Sequence, residues 1–151
     1  MKRILRSNKN GRGKDAFHIN ANDAGLQLVG EARFGSWEAE WGRAAARLLL
    51  NDGAAFDAVI CQNDVLARGC IEELERSGCR VPQDVAVIGH DNSPDYVSYA
   101  HPLLTSIDDN NEMLGRQAAL CLLDAIAGHP HHGVERVPVK LIQRESTLPL
   151  D

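Results

Sequence analysis

Asn63 and Asp91 each stand just past an apolar, β-branched run, and each run ends at turn-forming residues. An amide offers two donors and an acceptor, whereas a carboxylate only accepts. Held side by side, the two suit a ligand rich in hydroxyls, such as a sugar. They also suit local work: Asn63 or Asp64 can cap a following helix, and Asp91 can close an Asx-turn. Spacing alone leaves both readings open. Trp37, directly after Gly35-Ser36, can stack on the apolar face of a pyranose or a base, or pack in a core. Trp41, one helical turn on, suits the core better.

Other reactive residues carry less. His129, His131 and His132 crowd a Pro/Gly loop without a cysteine or carboxylate among them, so an exposed loop is expected rather than a metal site. Cys61, His90 and Asp91 include the types of a nucleophile, a base and an orienting acid. No Gly-x-Ser/Cys-x-Gly elbow surrounds Cys61, however, and a residue at the end of a buried strand points inward. No Gly-x-Gly-x-x-Gly or phosphate loop occurs. No enzyme activity, cofactor or metal is therefore expected. Cys61, Cys70, Cys79 and Cys121 never form Cys-x-x-Cys and read as thiols in a reducing compartment.

Strands and helices must position Asn63 and Asp91. Phe56–Cys61 and Val85–Ile88 are apolar runs of the kind buried on both faces of a parallel sheet. Ligands bind at the carboxyl edge of such sheets. Leu103–Ile107 and Val137–Ile142 are further strands, and Gln27–Arg33 is a short one. Ser36–Asn51 is a helix with Ser36 as its cap, Glu38 and Glu40 in its first turn and Trp37, Trp41, Ala44, Ala45, Leu48 and Leu49 on one face. Val65–Ser77 and Asn111–Ala127 are two more, Ala16–Leu26 has apolar residues at helical spacing, and Asn92–Pro102 is loop. Alternating strands and helices with short connections imply βαβ units, an α/β fold.

The 151 residues suffice for one core. A net charge of −5 argues against a nucleic-acid-binding body. No run approaches the ~20 apolar residues of a membrane span. No apolar leader follows Met1, so the chain as given is expected in the cytoplasm. Met1–Lys14 carries six basic residues and no acid. It reads as a flexible basic arm or the stump of a truncated element, giving an arm at 1–15 and a folded unit at 16–151.

Five segments also resemble a known family. They are Phe56–Gly69, with Cys-Gln-Asn-Asp at its centre; Gly78–Asp91, with Val-Pro-Gln-Asp-Val-Ala-Val-Ile-Gly-His-Asp; Pro102–Ile107; Leu114–Ala119; and Gln143–Thr147. In order and spacing they resemble the effector-binding part of lactose/galactose-repressor-type (LacI/GalR) regulators over roughly Phe17–Thr147. The resemblance implies a type I periplasmic-binding-protein fold, with a ligand between two parallel-sheet lobes. Here the second lobe is incomplete, and residues 109–137 correspond to the segment that crosses to the first lobe. It also implies that Asn63 and Asp91 hydrogen-bond a small-molecule effector, with Trp37 packing on it. A basic residue before Phe17 grips the effector in that family, and Arg12 and Lys14 compete for the role. Asp109 stands where a glutamine is common, and His90 where an apolar residue is usual, so the effector need not be an ordinary neutral hexose. Dimers form in the family through the helix at Val65–Ser77 and the loop near Asp95–Tyr99, and DNA is read by a headpiece that is not in this chain. The resemblance thus implies the effector-sensing, dimerising region of a repressor. The alternative is a fragment of a periplasmic sugar carrier. Deprived of a lobe to cover, the apolar face of Asn111–Ala127 is expected to be exposed.

Overall fold

A computed structural model describes residues 3–6, 27–29, 33–53 and 55–147. One six-stranded sheet organises them, in the order β2-β1-β3-β4-β5-β6. Its strands are β1 (Arg3–Arg6), β2 (Gln27–Leu28), β3 (Ala58–Ile60), β4 (Ala86–His90), β5 (Thr105–Asp108) and β6 (Lys140–Ile142). β2, β1, β3, β4 and β5 pair in parallel, and β6 closes the edge antiparallel to β5.

Arg3–Arg6, within the stretch expected to be a flexible basic arm or the stump of a truncated element, forms a strand. Ile4 lies opposite Ala58 and Arg6 opposite Ile60, while Arg3 pairs with Gln27 on the other side. A strand held on both sides finds partners for its backbone polar groups, which decides its state more than its basic side chains do. The expected helix near Ala16–Leu26 lies outside the described residues.

Four helices are described: α1 (Ala39–Asn51), α2 (Asp64–Arg76), α3 (Pro94–Val97) and α4 (Asn111–Ile126). α1 starts three residues later than expected. Glu38 stands at its N-cap without a side-chain cap bond, so Ser36 is not the cap. Gly35 ahead of it lies against the Trp41 indole, where a Cβ would overlap the ring. α3 forms within the stretch expected as loop, with Pro94 in its first turn, where a missing N–H does no harm.

α1 and α2 cross in close contact. A Cβ on Gly69 would overlap the Ala39 carbonyl, and one on Gly42 would overlap that of Leu66. Arg43 Nη1 donates to Glu72 at 2.6 Å and Arg47 Nε to Glu73 at 2.9 Å across the same seam. Beneath it, Ala46, Leu49, Leu66, Cys70, Ile71 and Leu74 pack on Val59 and Val87.

The two faces of the sheet differ. Val59 and Val87 are buried under α1 and α2, while their neighbours Ile60 and Ile88 are only half-buried. Burial of the central strands on both faces is therefore not what the structure shows. The second face opens on a cavity of about 420 Å³ lined by Ile60, Ile88, Ile107, Val139 and Leu141, together with Cys61, Gln62 and His90. α4 has no buried residue, as expected for this helix.

Candidate ligand site at the carboxyl edge

β3, β4 and β5 run parallel, so their exit loops share one edge, and Asn63, Asp91 and Asp109 all lie in these loops. Asn63 is the N-cap of α2: its Oδ1 accepts the Leu66 N–H at 2.8 Å, and only 8% of the residue is exposed. Among the described residues its Nδ2 donates to none. The capping role and a ligand role are thus compatible, one using the oxygen and the other the nitrogen. Asn63→Ala is expected to lower unfolding free energy by about 1 kcal/mol, the worth of a lost N-cap. Urea denaturation checks this, and it separates the cap from any change in ligand affinity.

Asp64 ties the loops together. Its Oδ2 accepts the Ser93 N–H at 2.7 Å and its Oδ1 accepts the Ser106 hydroxyl at 2.6 Å, with 1% of the residue exposed. A Cβ at Gly89 would overlap Asp64 Oδ1, so β4 can pass this carboxylate only with glycine there. Burial pushes the Asp64 carboxyl above its ordinary range, more than the bonds from Ser106 and Ser93 pull it down.

Behind this clamp the β4 loop turns sharply. Asp91 and Asn92 take positive φ values of 98° and 50°, a region that Asp and Asn enter more readily than other side chains. The Asn92 N–H donates to Ser106 Oγ at 3.1 Å, its amide to Asp108 at 3.2 Å, and Arg144 Nη2 donates to its Oδ1 at 2.8 Å. With Asn92 fixed, the Asp91 side chain is left half-exposed at the edge.

Asp91 and Asp109 meet around His90. His90 Nδ1 lies 3.3 Å from Asp91 Oδ1, and Nε2 lies 3.3 Å from Asp109 Oδ1. The pairing of His90 with Ile107 puts Asp109 two residues past the point of contact. One ligand atom from each of the three lies within 4.8 Å of the others. The cluster is rich in acceptors and can take hydroxyl or amine donors.

The other candidates are more dispersed. Trp37 precedes α1 rather than opening it and is 43% exposed, open enough to stack on a ligand. Trp41 is partly buried against the core. Arg12 and Lys14 lie outside the described residues. Cys61 is buried, and its thiol is pushed well up by contact with Cys70 and by burial, which opposes a nucleophilic role. His129, His131 and His132 are exposed, as expected. Ser106, Arg144 and the clamp made by Asp64 are not among the residues the sequence singles out; the adjacent Asn63-Asp64 pair is the available signal, in which Asp64 reads only as a helix cap.

The sheet edge thus gathers three loop acceptors in a parallel-dominated α/β lobe. Known proteins share this fold. The sequence profile described as periplasmic binding protein-like domain matches residues 6–147. The lactose operon repressor of Escherichia coli (strain K12) is 34% identical over 123 residues, 82% of this chain and 34% of that protein. The HTH-type transcriptional regulator CelR of Thermobifida fusca is 37% identical over 114 residues, 75% of this chain and 33% of that protein. A dimeric Lac repressor structure superposes with a TM-score of 0.88 at 28% identity, covering 100% of this chain and 57% of that one. A CelR–cellobiose complex gives a TM-score of 0.82 at 30% identity, covering 96% and 46%. The chain belongs to the periplasmic binding protein-like family, and within it to the effector-binding region of LacI/GalR-type regulators. The match spans about a third of the length of these curated relatives.

Proposed function

We propose that this chain senses a small, hydroxyl-rich effector, a sugar, for a cytoplasmic transcription regulator. The acceptor cluster of Asp91, His90 and Asp109, at the same sheet edge as Asn63, is the observation that carries this reading. Asp91 and Asp109 accept from ligand hydroxyls, Asn63 Nδ2 donates to a ligand oxygen, Trp37 stacks, and Arg12 supplies a positive charge. The ligand named in the CelR–cellobiose complex supports the sugar class. The relatives are regulators rather than enzymes or carriers, which favours the regulator over a fragment of a periplasmic sugar-binding protein. Effector binding then shifts the population toward the closed cleft, and contact with DNA falls to a headpiece beyond the matched region. The chain also carries the dimer face, through α2 and the segment around Asp95–Tyr99.

Asp91→Ala is expected to weaken binding of a cognate sugar by roughly 1–3 kcal/mol, the range for hydrogen bonds to a charged acceptor. The half-exposed position argues against a larger loss. Calorimetric titration with a panel of neutral mono- and disaccharides, cellobiose among them, measures it. Equal affinity in the variant and the parent would remove Asp91 from the site.

A further inference from the structure

We propose that the effector carries a free amine, whose ammonium group bridges Asp91 and Asp109 beside the His90 imidazole. The proposal rests on the effector reading and narrows it from hydroxyl-rich compounds to amino sugars. It concerns the group that the two acids hold and leaves Arg12 to another part of the ligand. Four carboxylates crowd the exits of β3, β4 and β5, and two of them are already occupied. Asp64 accepts from Ser93 and Ser106, and Asp108 accepts from the Asn92 amide at 3.2 Å and the Asn110 N–H at 2.8 Å. Among the described residues, Asp91 and Asp109 face His90 alone.

One imidazole does not satisfy both acids. Nδ1 faces Asp91 and Nε2 faces Asp109, and a neutral ring has a single N–H to offer them. An imidazolium has two, yet the trio still keeps an excess negative charge. Arg144 does not cancel it, because its guanidinium donates to the Leu104 carbonyl and to Asn92 Oδ1, each at 2.8 Å. Arg6 ends β1, two strands from β4. One carboxylate oxygen from each acid lies within 4.8 Å of the other. A tetrahedral ammonium that donates to two acceptors at ~2.8 Å holds them ~4.6 Å apart, so the gap fits one cationic nitrogen. A hydroxyl has one proton and no charge, so it serves one acid and leaves their repulsion standing. A metal ion held by His90 needs both acids on the side of one ring nitrogen, whereas here they face different nitrogens. The same edge has further ligand-facing features. Asn63 is 8% exposed, and its Nδ2 donates to no described residue. Gln62 and His90 both line the cavity of about 420 Å³, which gives a ligand room beside the cluster.

Titration of the nitrogen-labelled 151-residue chain, followed by NMR at the backbone amides of His90, Asp91 and Asp109, tests this and reads weak binding. The probes are matched pairs: 2-amino and 6-amino hexoses, each beside its neutral parent hexose and its N-acetyl form. The pH is held at about 6.5, below the usual range of such amines, and ammonium chloride at equal ionic strength is the control for bare charge. At least one free amine is expected to bind about tenfold more tightly than both of its neutral counterparts and than ammonium. Asp109→Asn keeps the shape of the side chain and is expected to bring amine and parent sugar within about threefold of each other. An amine preference that survives Asp109→Asn places the ammonium elsewhere and overturns the proposal. Equal or tighter binding of the neutral sugars in every pair also overturns it, while the effector reading stands. If no sugar of either kind binds, both fall together. Zinc ion added to the chain then shows whether the cluster belongs to a metal instead.

Discussion

Arg68→Met is expected to lower the free energy of unfolding by about 2–4 kcal/mol, because the Tyr96 and Pro102 carbonyls lose their donor, while the Val97 carbonyl keeps the Leu104 N–H. Arg68 is 3% exposed. Its Nε donates to the Tyr96 carbonyl, Nη1 to Pro102 at 2.8 Å and Nη2 to Val97 at 3.3 Å. Its guanidinium also lies 5.6 Å from the centre of the Tyr99 ring. One side chain of α2 thus supplies the donors for the α3 stretch between β4 and β5. Burial pulls the guanidinium below its ordinary pKa, and it stays charged at any working pH. Met keeps much of the apolar stem, so the loss reports the donors rather than the packing. Urea denaturation at neutral pH measures it, and a loss under about 1 kcal/mol would mean that water replaces the guanidinium at the Tyr96 and Pro102 carbonyls. Lys should recover only part, since an ammonium cannot reproduce the planar fork.

What was legible in the sequence followed from periodicity, and what was not followed from register. Val85–Ile88 announced a strand through its β-branched run, and Val65–Ser77 a helix through Leu66, Cys70, Ile71 and Leu74. Both are local signals, and the structure places β4 and α2 within a residue or two of them. Arg3–Arg6 gave no such signal, because its strand state depends on pairing Ile4 with Ala58, far along the chain. The meeting of His90, Asp91 and Asp109 is of the same kind. Asp91 and Asp109 were each legible as loop acids, but only the register of β4 on β5 brings both to one imidazole. The half-buried second face of the sheet was hidden for another reason. An apolar run states that a strand can be buried on both faces, not that both faces end equally covered. Ile60 and Ile88 fit a two-sided core, yet they border a cavity.

Asp64→Ala is expected to cost about 3–4 kcal/mol at neutral pH, since the Ser93 N–H and the Ser106 hydroxyl both lose their acceptor. The charge state of Asp64 sets a second, separable effect. Burial raises its folded pKa above the ordinary 3.8, so folding favours the protonated form. That contribution to stability is fully present below the unfolded value and is lost as pH rises through the folded pKa. Asp64→Asn, neutral throughout, has no such term. Its deficit relative to the parent chain should therefore shrink as pH rises from below 3.8 to neutrality, while other carboxylates titrate alike in both proteins and cancel. Urea denaturation of the pair across that range is the measurement. A deficit that instead grows toward neutral pH would show that the bonds from Ser93 and Ser106 outweigh burial and hold Asp64 as a carboxylate. The clamp joining the loops of β3 and β4 would then be electrostatic in origin. Either sign leaves the geometric role intact, because a Cβ at position 89 would overlap the Asp64 oxygen held at this point.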